Sequence, residues 1–423
     1  MNTQIESVES RRLMAVTAYT ADGVMNVHGD NLSNVIIVEK SANNSAVVVK
    51  SGLGTGQKVV QYIASATVKQ INIYGYSGND EIYIAQNVMQ DVTANGGKGA
   101  DLLVAGGGSA KLYGHGNWDM DPTGAHKSGT DDGSADTLIG GSGRTVMWGQ
   151  KGNDRFQTSG SKKVSAYNVD IANGGDGDDI FDLFGVGQTT VYGNGGNDYF
   201  YMGKQATIVN GNEGLDTVDY SAFPVLGGVV VSLDGVSLSG ALSNATRNHL
   251  IGSDVENAYA TNYDDSIFGG QGLNMLYGRG GRDRIDGRGG SDVLYGGAEN
   301  DTIIGDNGND YIYGNEGHDD IHAGTGNDTV LGGVGDDNIY GDSGSDKLFG
   351  ETGSDRIAGG EGFDTLVGGF GADVLFSIGG NIDYVYGDNL DGSGDYLTDY
   401  AHADYSSGAW LDKLIGIEQT QAS

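Results

Sequence analysis

GDNGNDYIY (Gly305–Tyr313), GGVGDDNIY (Gly332–Tyr340) and GGEGFDTLV (Gly359–Val367) are three copies of one nine-residue pattern, G-G-x-G-x-D-x-U-x, in which U is aliphatic. The pattern runs twelve times between Gly269 and Phe376 with neither insertion nor deletion. Its eighth residue is apolar in every copy, from Leu276 and Ile285 through Ile312 and Ile339 to Leu375, so this side chain faces a core. The seventh and ninth residues vary and include Arg284, Lys347, Asp286 and Tyr295, so they face water. Polar, apolar, variable over three residues reads as a short strand with one inward side chain.

The sixth position is Asn274 in the first copy and aspartate in the other eleven: Asp283, Asp292, Asp301, Asp310, Asp319, Asp328, Asp337, Asp346, Asp355, Asp364 and Asp373. The first and fourth positions are glycine almost throughout, as in Gly305 and Gly308, Gly314 and Gly317, Gly332 and Gly335, Gly341 and Gly344; Ala323 and Glu299 are the exceptions. Glycine at fixed loop positions implies positive φ or a close approach of backbone to something. A carboxylate among bare carbonyl groups suits a hard cation, and calcium takes six to eight oxygens in irregular geometry.

The period selects the architecture. A three-residue strand plus a six-residue turn makes half a coil, so residues eighteen apart stack, and six coils rise roughly 29 Å at about 4.8 Å per strand. Asp292, Asp310, Asp328, Asp346 and Asp364 then line one edge, and Asp283, Asp301, Asp319, Asp337, Asp355 and Asp373 the other. Bare carboxylates at that spacing repel by roughly 1 kcal/mol per pair in water and about 3 to 4 at an effective dielectric near 20. Only about two aliphatic side chains per coil are buried, which is a small hydrophobic gain. The expectation is a coil that forms only with a divalent cation between successive turns, the metal supplying the folding free energy.

This block resembles the RTX, or haemolysin-type calcium-binding, repeat family. The resemblance implies an all-β fold, a parallel β-roll or β-solenoid with multiple Ca²⁺ ions between turns. It also implies that the sixth-position aspartates are carboxylate ligands and that the first- and fourth-position glycines form a carbonyl-donating turn. Asn274 and Glu299 depart from the pattern, and Arg279, Arg282, Arg284 and Arg288 crowd the second and third copies. These departures put full occupancy of the first two or three sites in question.

Composition agrees. There are 23 basic and 57 acidic residues, a formal charge of 23 − 57 = −34, which argues against a nucleic-acid partner. With acids at fixed places in the repeat, on the order of 10 to 15 calcium ions would offset most of that charge. Cysteine is absent, so disulfide and thiol chemistry are excluded. No stretch approaches the ~18 apolar residues of a membrane span. Calcium sites of this kind are useful outside the cell, which predicts an extracellular or cell-surface protein.

The chain divides into six expected segments. Residues 1–20 read as an export or sorting segment, with twin Arg11-Arg12 and a resemblance to a V/L-E-S-R-R-L sorting motif. Residues 21–74 alternate apolar and polar around turn signals at Ala21-Asp22-Gly23 and Asn43-Asn44-Ser45, a β-rich N-terminal cap. Residues 75–219 carry degenerate repeats whose sixth-position aspartates are Asp80, Asp101, Asp136, Asp154, Asp179, Asp198 and Asp216, with a copy at Ala110 expected to be metal-free. Residues 220–268 form a β interlude, resembling one found before the family's repeat blocks, through Asp219-Tyr220-Ser221, Val231-Ser232-Leu233, Val255-Glu256-Asn257 and Asp264-Asp265-Ser266-Ile267. Residues 269–376 are the regular roll, and 377–423 a C-terminal cap or export signal.

Enzyme signatures are absent. There is neither H-E-x-x-H nor G-x-S-x-G, which removes the repeat-bearing zinc proteases and lipases as close matches. Gly341-Asp342-Ser343-Gly344 lies in frame within a repeat, Asp119 to Thr130 resembles only half an EF-hand loop, and His318 and His322 occupy variable, solvated positions. The expected function is therefore a non-enzymatic calcium-ion-binding exported protein with a structural, surface or adhesive role. The alternative is an accessory module of a polysaccharide-modifying enzyme or a carbohydrate-binding protein. Tyr277, Tyr295 and Tyr313 fall eighteen apart and should stack as a ladder, a potential strip for an extracellular polysaccharide or cell-surface glycan.

Overall fold

The computed structural model describes residues 16–52, 58–115, 119–120, 126–127, 132–158, 169–185, 187–204, 206–223, 227–241, 247–377 and 384–387, with short strands between 400 and 422. The sorting motif and most of the EF-hand-like stretch lie outside the described residues, as does much of the C-terminal segment. The chain is all-β and forms a parallel β-roll, with one short 3₁₀ turn at Ser65–Thr67 among the described residues. It divides into two compact units, Met1–Phe181 with Gly185–Thr190, and Asp182–Phe184 with Val191–Ser423.

The first unit opens antiparallel. Thr17–Ala21 pairs with Val24–His28 across Asp22 (φ 52°) and Gly23 (φ 84°), a two-residue hairpin turn that needs left-handed backbone at both positions. Val35–Lys40 pairs antiparallel with Ala46–Ser51, and that strand with Lys58–Ala64. Two parallel ladders grow from these strands. Val24–His28 leads through Gln70–Ser77 and Asp91–Lys98 to Ala110–Tyr113. Val35–Lys40 leads through Glu81–Ile84 and Leu102–Val104 to Thr137–Ile139. Between the ladders, Met25, Val27, Ile36, Val38, Ile71, Ile82 and Leu103 are fully buried. The expected boundary at residue 20 falls inside the first hairpin, because Thr17–Ala21 needs Val24–His28 as a partner.

The second unit contains the regular repeats. Met275–Gly280, Val293–Ala298, Tyr311–Glu316, Thr329–Val334, Lys347–Thr352 and Thr365–Phe370 form one parallel ladder. Arg284–Asp286, Thr302–Asn307, Asp320–Thr325, Asn338–Ser343, Arg356–Ala358 and Val374–Ser377 form the other. Eighth-position residues meet in register, as Ile303 does Ile321 and Ile312 does Val330, and every one is fully buried.

Most strands are longer than the sequence pattern suggests. They run six residues, from the seventh position through the third of the next copy, rather than three. The second position carries a left-handed backbone, whether glycine (Gly324, φ 110°) or not (Asp306, φ 72°; Asn315, φ 76°; Glu351, φ 73°). This turns the chain, and pairing resumes beyond it, as in Asp306 with Gly324 and Asn307 with Thr325. The true turn shrinks to positions four to six.

The interlude is an antiparallel excursion. Val229–Ser232 pairs with Leu238–Ala241, and that strand with Arg247–Ile251. Val229–Ser232 also pairs parallel with Ser266–Phe268, which starts one ladder of the roll. Tyr220, fully buried, hydrogen-bonds His249 Nδ1 at 2.8 Å and meets Phe223 edge-on at 5.3 Å. Beyond Ser377 the ladders continue through Tyr384–Tyr386 and Tyr400–Ala403, so the tail's described strands extend the stack.

Candidate metal centre

Each sixth-position aspartate sits at the end of the short turn, and its two oxygens have different surroundings. Oδ1 accepts the backbone N–H of the aspartate one coil earlier. On one edge Asp292 donates to Asp310, Asp310 to Asp328 and Asp328 to Asp346, at 2.7–2.8 Å. On the other, Asp283 donates to Asp301, Asp301 to Asp319, Asp319 to Asp337 and Asp337 to Asp355, all at 2.8 Å. Asp364 and Asp373 accept from Asp346 and Asp355 in the same way. Oδ2 of the aspartates from Asp283 to Asp355 is buried and has no hydrogen-bond partner.

What faces Oδ2 is the first-position glycine, except in the copy of Asp328, whose first residue is Ala323. A Cβ at Gly332 would stand 2.5 Å from Asp337 Oδ2 and 3.0 Å from the Gly350 carbonyl oxygen; one at Gly287 would meet Asp292 Oδ2 and the Gly305 carbonyl at the same distances. The bare Cα therefore leaves open a pocket between a carboxylate oxygen and a carbonyl oxygen of the next coil. Gly305, Gly314 and Gly332 all turn their carbonyls to such pockets. Gly308, Gly317, Gly335 and Gly344, at the fourth position, have φ of 136–153°. Their Cα atoms pack against carbonyls one coil earlier, so a side chain there collides with backbone. Glu299 also has a positive φ, though at 78° it differs from the glycines, and Asp301 Oδ2 still faces Gly296 and Gly314.

Burial raises these carboxyls far above the usual range. Desolvation is the largest cause, opposed by the N–H donor and reinforced in most cases by neighbouring carboxylates. Asp283, Asp301 and Asp355 rise to about 8, Asp292, Asp337 and Asp346 to about 7, and Asp328 to about 6, with Asp310 and Asp319 also raised. An unpaired buried carboxylate oxygen is costly unless it is protonated or meets a cation.

The degenerate repeats build the same column. Asp80 donates to Asp101, Asp101 to Asp136, Asp136 to Asp154 and Asp154 to Asp179, each at 2.7 Å, although these residues are 21, 35, 18 and 25 apart. Asp80 rises to about 6 and Asp101 to about 8, burial again the main cause. In the second unit Asp198 donates to Asp216 at 2.8 Å, and Asp216 rises to about 7. Ala110 lies on the other ladder, its N–H on the Arg144 carbonyl.

Three residues outside the sixth-position set join the columns. Asn34 donates its N–H to Asp80 Oδ1 at 2.6 Å, starting the first. Glu256 accepts the Asp216 N–H at 2.8 Å, replacing an aspartate. Asp265 donates to Asp283 at 2.7 Å, eighteen residues on, and that spacing was its sequence signal.

Among the described residues no three Asp, Glu or His side chains converge on one point. The pockets instead combine one carboxylate with main-chain oxygens, a donor set that fits a hard, oxygen-seeking cation and does not suit zinc or copper. A family model described as RTX calcium-binding nonapeptide repeat (4 copies) matches residues 130–160 and 190–209, and overlapping windows from 259 to 381. The chain carries RTX calcium-binding nonapeptide repeats. A search of curated proteins found no match to it. Among solved structures, a double mutant of the periplasmic alginate epimerase AlgG aligns over 94% of this chain and 84% of its own at 11% identity, with a TM-score of 0.13, which carries no argument.

Around the RTX repeats, the tyrosine ladder is present. Tyr259, Tyr277, Tyr295 and Tyr313 stack with centroids 4.3, 4.6 and 4.8 Å apart and planes within 8°. The rings cover one another's faces, which leaves only edges and hydroxyls outward. His318 accepts the Asp336 N–H at 2.7 Å, and His322 stacks on Tyr340 at 4.5 Å, so the two histidines serve neighbouring coils rather than a shared site. Among the described residues no helix is long and apolar enough to cross a membrane.

Proposed function

We propose that this chain is a non-enzymatic, exported calcium-ion-binding protein whose β-roll sets outside the cell and serves a structural, surface or adhesive role. The observation that carries this reading is the row of buried Oδ2 atoms without hydrogen-bond partners from Asp283 to Asp355, which face a first-position carbonyl of the next coil in every copy that begins with glycine. Asp283 to Asp373, with Asp80, Asp101, Asp136, Asp154, Asp179, Asp198 and Asp216, would supply the carboxylates. First-position glycines, Gly305, Gly314, Gly332 and Gly341 among them, would supply carbonyls and the space. Bound calcium would neutralise the carboxylates and tie each coil to the next. The side chains do the rest: Oδ1 holds register through the N–H one coil back, and Oδ2 is held in place by burial. Where calcium is scarce, a chain of charge −34 with raised carboxyls resists coiling and stays exportable.

Calcium titration with ion counting and far-ultraviolet circular dichroism tests this. The β signal should appear cooperatively as several ions bind, and full β signal in chelator would overturn it. A glycan partner finds less support, since sugar stacking needs a free aromatic face and the ladder offers none along its length. Binding on a glycan array that is lost in Tyr295→Ala would restore that reading.

A further inference from the structure

The coil at the start of the regular roll differs from those after it in one respect: protein groups close both of its turns. At Asn274 the amide stands where an aspartate carboxylate stands elsewhere, 2.6 Å from the Cβ position of Gly269. Its Oδ1 accepts the Gly270 N–H at 2.7 Å, and its Nδ2 donates to the Glu256 carbonyl at 2.9 Å. No oxygen is left over for an ion. The carbonyl facing this pocket is that of Gly287, 2.5 Å from the same Cβ position, and it accepts the Gly289 N–H at 3.1 Å; the Gly269 carbonyl, on the turn itself, accepts from the Arg288 guanidinium at 3.1 Å. That guanidinium also lies 5.3 Å over the Phe268 ring and 3.6 Å from Asp234 Oδ2. Asp234 is itself fixed by the N–H groups of Val236 and Ser237.

The opposite turn is closed as well. Asp265 Oδ1 accepts the Val229 N–H at 2.5 Å, Oδ2 accepts the Thr261 N–H at 2.7 Å, and the Thr261 hydroxyl lies 2.9–3.0 Å from both. Its oxygens are satisfied, where Asp283, Asp292 and Asp301 each leave Oδ2 unpartnered. Beneath these turns Val229, Val231, Leu233, Ile267 and Leu276 are fully buried beside the Tyr220–His249–Phe223 cluster. Ile267 and Leu276 belong to this coil, and the coil before it, in register through Val231 and Ile267, adds Val229, Val231 and Leu233 and the aromatic cluster, where later coils have about two aliphatic residues each. The other arginines of this region face outward: Arg282 pairs with Asp264 at 3.0 Å, and Arg284 stands 3.9 Å from Asp286.

We propose that the segment from Val229 to Tyr277, closed by the Arg288 side chain, is a calcium-independent nucleus, with that guanidinium as a fixed internal cation in place of an ion, on which the calcium-requiring coils assemble toward the C-terminus. The proposal rests on the calcium-dependent folding set out above and assigns it a starting point. A preformed coil presents a template edge, so each later coil needs to add only itself and its ions, and the costly first closure of a parallel stack is avoided.

Hydrogen exchange read by mass spectrometry on the full chain, in chelator and then in calcium, tests it. In chelator, peptides covering 229–233, 258–268 and 274–277 should keep at least roughly a hundred-fold protection, as packed core strands do. Those covering 302–370 should exchange as an unfolded chain and gain protection only with calcium. Equal, fast exchange of both sets in chelator overturns the nucleus and leaves calcium-dependent folding intact. Equal protection of both sets in chelator overturns both. The double variant Asn274→Asp/Arg288→Gly should bind one more calcium ion and lose the chelator-stage protection; unchanged ion count and protection would count against Arg288 as the internal cation.

Discussion

Replacing Asp346 by asparagine should move stability in opposite directions with and without calcium. The asparagine would keep an oxygen for the Asp328 N–H, which Asp346 Oδ1 accepts at 2.8 Å, so the ladder hydrogen bond survives. What changes is the charge at Oδ2, buried, without a hydrogen-bond partner and facing Gly341. Burial raises the Asp346 carboxyl from 3.8 to about 7. At ~1.4 kcal/mol per pH unit, that difference is ~4 kcal/mol. The sign follows from linkage. A group whose folded value is raised helps the fold fully below its unfolded value, and that help is lost as pH rises through the folded value. At pH 8 in chelator the wild-type aspartate thus costs the coiled state ~4 kcal/mol that asparagine does not. In calcium the order reverses, because asparagine brings no anionic ligand. The assay is circular dichroism in two arms. Trimethylamine-oxide-induced folding in chelator at pH 8 should occur at lower osmolyte for Asp346→Asn, and urea unfolding in millimolar calcium should occur at lower urea. A variant less stable in both arms would refute the account of Oδ2 as a charge awaiting a cation.

Acidification should partly replace calcium: in chelator, β signal should rise between pH 8 and pH 5 as Asp283, Asp301 and Asp355 (about 8) and Asp292, Asp337 and Asp346 (about 7) protonate. A flat profile over that range speaks against it. Gly326→Ala should raise the calcium midpoint at least ten-fold, because its Cβ would fall 2.5 Å from the Gly308 carbonyl carbon at φ 136°. Asp306→Gly, at φ 72°, should instead stabilise the loaded roll by ~1 kcal/mol in urea unfolding and leave the ion count unchanged. Ile312→Ala, fully buried between register partners Leu294 and Val330, should cost ~2–5 kcal/mol in the same measurement.

Much of this was legible because the repeat is so regular. An apolar eighth position means inward, and Ile303, Ile312 and Ile321 are inward; a period of eighteen means stacking, and the aspartates stack. The interlude was readable through the run Gly228–Leu233 as a strand, and Val229–Ser232 is one. The rest depended on contacts that spacing does not encode. Nothing in the pattern separates an aspartate's two oxygens, since only the coil before it supplies the N–H for Oδ1. The left-handed second position was hidden because Asp306, Asn315 and Arg279 occupy it without being glycine. Glu256 escaped because it lies forty residues from Asp216 and is no aspartate, so only the folded chain brings it to the Asp216 N–H. The tyrosine ladder was legible as a stack. That the stack hides the very faces a sugar would use became plain only from the 4.3–4.8 Å separations.

The column from Asp80 to Asp179 keeps one 2.7 Å bond per rung while the sequence between rungs varies from 18 to 35 residues. Such a spine counts rungs rather than residues. Length can be gained or lost between rungs without redesigning either neighbour, so a lineage can diversify its periphery while the axis stays constant.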